Sequence, residues 1–189
     1  ETGHPDGICR AAHFAGGRMA SEMPDLGDTY SVQLWFWNGL PHDARAVTGY
    51  FFSRGRDGEQ GAPGESLGIG GTNSGGSEPG RLMAYNGDRK QDLLLGSTLL
   101  EPKRWYCVTY VRQGRQVTAY LDGQTSPEFS GELDLGCPPH TPSLWIGNRS
   151  DRKFGFEGKL CHVSVYERAL TAEEAANLYR AAGSPSGLL

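Results

Sequence analysis

No run of apolar residues in this 189-residue chain is long enough to span a bilayer, so membrane insertion is not expected. There is no long basic run either. The 22 acidic residues outweigh the 18 basic ones for a net charge of −4, which argues against a nucleic-acid surface. The H-E-x-x-H, G-x-G-x-x-G and Walker-loop signatures are missing. The five histidines, His4, His13, His42, His140 and His162, are scattered without ligand-like spacing and read as surface or hydrogen-bonded residues. The four cysteines, Cys9, Cys107, Cys137 and Cys161, form no C-x-x-C pair, which makes a zinc site improbable.

What the chain has in quantity is turn-forming residues. Its 28 glycines and 11 prolines suit many short strands joined by tight turns rather than a helical protein, and its length suits one domain. Glu1-Thr2-Gly3 reads as a remnant of a secretion-vector cloning site, leaving residues 4–183 as the domain and 184–189 as a tail. A secreted, extracellular or cell-surface protein is therefore expected. In that setting an even cysteine count favours two disulfides, in any of three connectivities, over four buried thiols.

Alternation supplies the strands. Tyr30 to Trp37 places Tyr30, Val32, Leu34 and Phe36 on one face and Ser31, Gln33, Trp35 and Trp37 on the other. The second face starts polar and ends in two tryptophans, so it is either partly covered or a binding surface. Further strands are read at 8–14, 49–53, 66–70, 81–85, 105–112, 116–121, 143–146 and 160–166, with short apolar pieces at 93–95 and 99–100. Asn86-Gly87 and Asp122-Gly123 mark turns. One helix is expected over 172–182. Thr171 and Glu174 stand at capping-box spacing, and Glu173 and Arg180 complement the helix dipole.

The ordered set Phe52-Ser53-Arg54-Gly55, Trp105 to Tyr110, Val117 to Gly123, Leu144 to Gly147 and Phe156 to Leu160, closed by R-A-L-T-x-E-E-x-x-x-L-Y, resembles LamG-like jelly-roll domains. These belong to the concanavalin A-like superfamily, which includes the pentraxins, and the likeness is greatest to modules of large exported bacterial proteins. It implies an all-β, antiparallel two-sheet jelly-roll sandwich with one short C-terminal α-helix. It also implies a non-catalytic recognition or adhesion module. Such a module would bind glycan or extracellular protein through rim loops or the concave sheet, beside neighbouring domains of a larger parent protein.

The resemblance also suggests Ca²⁺ at the sandwich rim, held by Asp57, Asn148 and Asp151, with Glu59 in reserve. Arg149 and Arg152 set positive charge against that site. Asn148-Arg149-Ser150 is also a glycosylation sequon, and a glycan on Asn148 would compete with metal ligation. Jelly-roll glucanases carry E-x-D-x-x-E on one strand. Glu132-Leu133-Asp134 supplies the first two carboxylates, but Cys137 stands where the proton donor is needed, so a hydrolase is the alternative rather than the expectation. A structural spacer is a third reading. Trp35, Trp37 and Tyr85 are the aromatics expected to stack on sugar rings if they are exposed.

Overall fold

A computed structural model describes residues 11–23, 26–55, 64–73, 79–86, 93–134 and 141–182. They form twelve strands and one helix. The strands are β1 (Ala12–Ala15), β2 (Met19–Glu22), β3 (Thr29–Asn38), β4 (Val47–Arg54), β5 (Glu65–Gly70), β6 (Arg81–Tyr85) and β7 (Leu93–Leu99). Then come β8 (Trp105–Gln113), β9 (Gln116–Leu121), β10 (Phe129–Glu132), β11 (Ser143–Ile146) and β12 (Glu157–Tyr166), followed by α1 (Ala172–Ala181). Two six-stranded antiparallel sheets result, with orders β1-β12-β3-β8-β9-β10 and β2-β11-β4-β5-β6-β7. This is the jelly-roll sandwich that the sequence pattern implied.

The core follows from alternation. Tyr30, Val32, Leu34 and Phe36 of β3 and Tyr106, Val108 and Tyr110 of β8 face inward, against Phe52, Leu67, Ile69, Leu82 and Ala84 of the second sheet. Phe36 stacks on Phe51 at 4.7 Å between ring centroids, and Phe156 meets Phe51 edge-on. Such pairs add to the burial of apolar area, which stabilises by ~25 cal/mol per Å².

Charge also lies between the sheets. The Glu65 carboxylate, at the start of β5, accepts from the Arg112 guanidinium of β8 and from the Tyr110 hydroxyl at 2.5 Å. Both charged side chains are at most 2% exposed. Arg112 also donates to the carbonyls of Gly114 and Leu133.

Two glycines show why the sheets can come together as they do. A Cβ on Gly68 would lie 2.3 Å from the carbonyl oxygen of Gly49, so β4 and β5 approach closely only without a side chain there. Gly123 has φ +69° and a Cβ there would meet the Tyr179 ring at 2.4 Å.

Some local expectations change. Tyr85 pairs with Leu93, so Asn86-Gly87 does not close a two-residue hairpin; the connection is longer. The apolar piece at 93–95 and Leu99 belong to one strand, β7, and Leu100 follows it directly. β2 and β10 were not marked by the sequence because each is a four-residue edge strand, exposed along all or much of its length. The helix carries both halves of the capping box, Thr171 and Glu174, and the Arg168 guanidinium beside Glu174 holds its carboxyl down at about 2.

Candidate functional site

The two outer faces of the sandwich differ. On the β3-β8 sheet, α1 lies across the outer face. Tyr179 stacks on Trp35 at 5.3 Å, and Ser31 exchanges hydrogen bonds with Arg168 and Leu170. Trp35 is 0% exposed, so it is not a sugar platform: the helix covers it. Trp37, one step along, is half-buried, opposite Trp105 on one side and Lys159 on the other.

No helix covers the outer face of the other sheet among the described residues. Register places Ala20, Trp145, Ser53, Ser66, Tyr85 and Leu93 in one row across β2, β11, β4, β5, β6 and β7. Trp145 and Tyr85 are half-buried, while Ser53 and Ser66 form a buried hydroxyl floor between them, 3.3 Å apart. Three strand spacings of ~4.8 Å separate the two aromatics, about 14 Å in all. The Trp145 indole is held in place. Its Nε1 donates to the carbonyl of Gly55 at 3.0 Å, and the Arg18 guanidinium lies 4.1 Å from its ring centroid. A long ligand lying across the strands would meet the open part of an aromatic at each end, while the hydroxyls of Ser53 and Ser66, 0% and 2% exposed, lie below the surface.

The rim loop after β11 borders this face. Arg18 donates to the carbonyls of Arg149 and Ser150, and Arg149 lies over the Tyr50 ring at 5.3 Å. This is where two of the expected metal ligands sit, and both are already engaged. The Asn148 amide donates to Gly16 and accepts from the N–H of Arg149, with the residue only 1% exposed. Asp151 pairs with Arg149 at 2.9 Å and accepts from the N–H of Lys153. Asp57 and Glu59 lie outside the described residues. The donors that are described do not fit a hard cation needing six or more oxygens. Among the described residues no three His, Cys, Asp or Glu side chains are placed to hold a metal ion together. The sequon meets the same obstacle: Asn148 Nδ2 points into the protein, leaving no room for a glycan in the folded state.

The remaining sequence candidates sit elsewhere. Cys9 and Cys137 lie outside the described residues. Cys107 and Cys161 are buried and flank Trp35 on opposite strands. Two strand spacings, about 10 Å, separate them, beyond the reach of one disulfide at ~7 Å. Direct bonding between these two is excluded, which removes one of the three connectivities, and no disulfide occurs among the described residues. Glu132 and Asp134 both pair with the exposed Arg115 at the hairpin end of β9, not in a cleft. Gly64-Glu65-Ser66-Leu67-Gly68 does spell G-x-S-x-G, yet Ser66 lies inside antiparallel β5 and is not at the strand-to-helix turn that such an elbow requires.

Trp145 is the site residue that sequence reading passed over. Its only signal is the alternation in Ser143-Leu144-Trp145-Ile146, which turns the indole away from the core-facing Leu144 and Ile146.

Comparison with known proteins fits this geometry. A family model described as the concanavalin A-like lectin/glucanases superfamily, of laminin G type, matches residues 16–176. No curated protein matches. Among solved structures, domain 4 of AbnA, an extracellular arabinanase from Geobacillus stearothermophilus, in complex with arabinotriose, is similar at TM-score 0.60 and 20% identity, over 89% of this chain and 76% of that one. The Limulus polyphemus SAP-like pentraxin is similar at TM-score 0.59 and 16% identity, over 94% and 80% of the two chains. The CBM40 of the Ruminococcus gnavus IT-sialidase, bound to α2,3 sialyllactose, reaches TM-score 0.63 at 11% identity, over 90% and 97%. At these identities the likeness is one of fold.

Proposed function

The chain belongs to the concanavalin A-like lectin/glucanases superfamily, in its laminin G-like branch, and on that premise we propose that it is an extracellular, non-catalytic glycan-binding module. The ligand lies across the outer face of the β11-β4-β5-β6 sheet. The observation that carries this is the pair of half-buried aromatics Trp145 and Tyr85 in one row of a sheet face that no helix covers among the described residues, with Ser53 and Ser66, 0% and 2% exposed, between them. Aromatic faces with a few fixed polar groups are the usual makings of a small-ligand site. That similar folds are described with arabinotriose and sialyllactose supports a glycan over a protein partner.

The non-catalytic part rests on the placement of carboxylates. Glycoside hydrolysis needs two facing carboxyl groups across the scissile bond. Glu132 and Asp134 are instead neutralised by Arg115 at an edge. Binding is taken to be independent of Ca²⁺, because Asn148 and Asp151 already have protein partners. Neighbouring domains of a parent protein would bring the module to its substrate.

A glycan array probed with the intact protein, paired with a reducing-sugar assay on every hit, tests the reading. Binding without turnover is expected. Hydrolysis of a bound glycan, or an array silent for neutral and acidic glycans alike, would overturn it.

A further inference from the structure

A cavity of about 410 Å³ opens at one edge of the sandwich, where β7 of one sheet approaches β10 of the other. It lies between β7 (Ser97, Thr98, Leu99), the start of β8 (Tyr106) and the turn after β9 (Asp122). None of its lining belongs to the Trp145–Tyr85 row. Its size falls within the ~300–1,000 Å³ usual for small-molecule sites.

The lining is built. Glu128 ties the two edges together, accepting from the Thr98 N–H at 2.7 Å and from the Thr98 hydroxyl at 2.8 Å. The Tyr106 hydroxyl accepts from the Glu101 N–H at 2.8 Å, which fixes the ring. Asp122 accepts from the Cys107 N–H through Oδ1 at 2.8 Å, which aims the carboxyl from the β9 turn. Three carboxylates, Glu101, Asp122 and Glu128, thus line a cavity with a single cation, Arg104. That guanidinium lies over the Tyr106 ring and 3.6 Å from Glu101. Hydroxyls from Ser97 and Ser126 and the amide of Gln124 complete the polar wall, and Leu99 and Pro127 the apolar one.

We propose that this edge cavity is a second ligand site, selective for the end of a glycan that carries a protonated amine, a hexosamine-type sugar. The carboxylates accept from sugar hydroxyls, and the serine and threonine hydroxyls of the lining both donate to them and accept from them. The surplus of carboxylate over guanidinium favours an ammonium and repels a carboxylate-bearing sugar. Burial first, and then the nearby Glu128, raise the Asp122 carboxyl above its ordinary range, a cost that a bound cation relieves. A concave cavity at the sandwich edge suits a chain terminus, where a sheet face suits a chain's middle. The site is independent of the sheet-face reading.

The test is a calorimetric and ligand-observed NMR titration at neutral pH with D-glucosamine, D-glucose and D-glucuronate. Saturable glucosamine binding is expected, with glucose weaker and glucuronate absent. Asp122→Asn keeps the acceptor for the Cys107 N–H and removes the charge, and it should weaken glucosamine about tenfold. Leu99→Arg, at an exposed position on the cavity wall, should abolish binding without altering the melt. Trp145→Ala should leave glucosamine binding unchanged, which separates this site from the sheet face. No saturable glucosamine binding, equal or tighter glucuronate binding, or indifference to both cavity variants would overturn the proposal.

Discussion

Removing the charge from Glu65 should be among the most damaging single changes in the protein. Glu65 and Arg112 meet between the sheets with side chains 2% and 0% exposed. In Glu65→Gln the guanidinium stays buried without its counter-ion, although Gly114 and Leu133 still accept from it. Breaking a buried pair in this way costs about 3–5 kcal/mol. For a domain of this size the melting temperature should fall by roughly 6–20 °C. Arg112→Met should cost a similar amount, because the Glu65 carboxylate is then the orphan. The double variant Glu65→Gln/Arg112→Met removes both charges together and should lose less than the two singles summed, by roughly 2–3 kcal/mol. Denaturant melts of the four proteins complete the cycle. Additivity within ~0.5 kcal/mol would show that the ion pair is not coupled and would refute the reasoning.

Other outcomes follow from the same structure. Thr171→Ala removes the N-cap acceptor for the Glu174 N–H and should cost ~1 kcal/mol in a denaturant melt; no loss would mean that α1 does not depend on its capping box. Tyr30 and Tyr110 are fully buried, and burial first, then the Glu65 carboxylate, push both phenols well above the ordinary 10.0. The unfolded chain therefore loses these protons first, so their contribution is whole below pH 10 and is lost as pH rises beyond it. Phenolate absorbance should show the two tyrosines ionising only as the fold is lost. Thermal melts in Ca²⁺ and in EDTA should superimpose, and a rise in Ca²⁺ would point to a site that includes Asp57. Intact mass of protein from a glycosylating host should show Asn148 unmodified.

The fold was legible because burial on one side of each sheet imposes a period of two, and the long central strands obey it without interruption. Tyr30 to Trp37 and Trp105 to Arg112 reveal their inward faces directly. Arg112 even shows the conflict, a charge in line with Tyr106, Val108 and Tyr110. Its partner was not legible, because Glu65 lies 47 residues away on the facing sheet and follows a glycine-rich stretch of sequence. The helix was legible because its caps are local. The candidate site was not, because it depends on which strands become neighbours. Nothing near Trp145 says that β11 inserts between β2 and β4, and only that insertion aligns the indole with Ser53, Ser66 and Tyr85. Trp35 misled for the complementary reason: its cover, Tyr179, is 144 residues further along the chain.

The same substitution on each outer face puts the central claim to its most direct test. A glycan identified on the array is titrated against Trp145→Ala and Trp37→Ala, each first shown to melt like the parent. Losing a sugar-stacking aromatic at a binding centre costs at least ~1.4 kcal/mol, or tenfold in Kd. The account predicts that loss for Trp145→Ala and an unchanged Kd for Trp37→Ala. Full affinity in Trp145→Ala together with loss in Trp37→Ala would place the ligand on the helix-bearing face and contradict it.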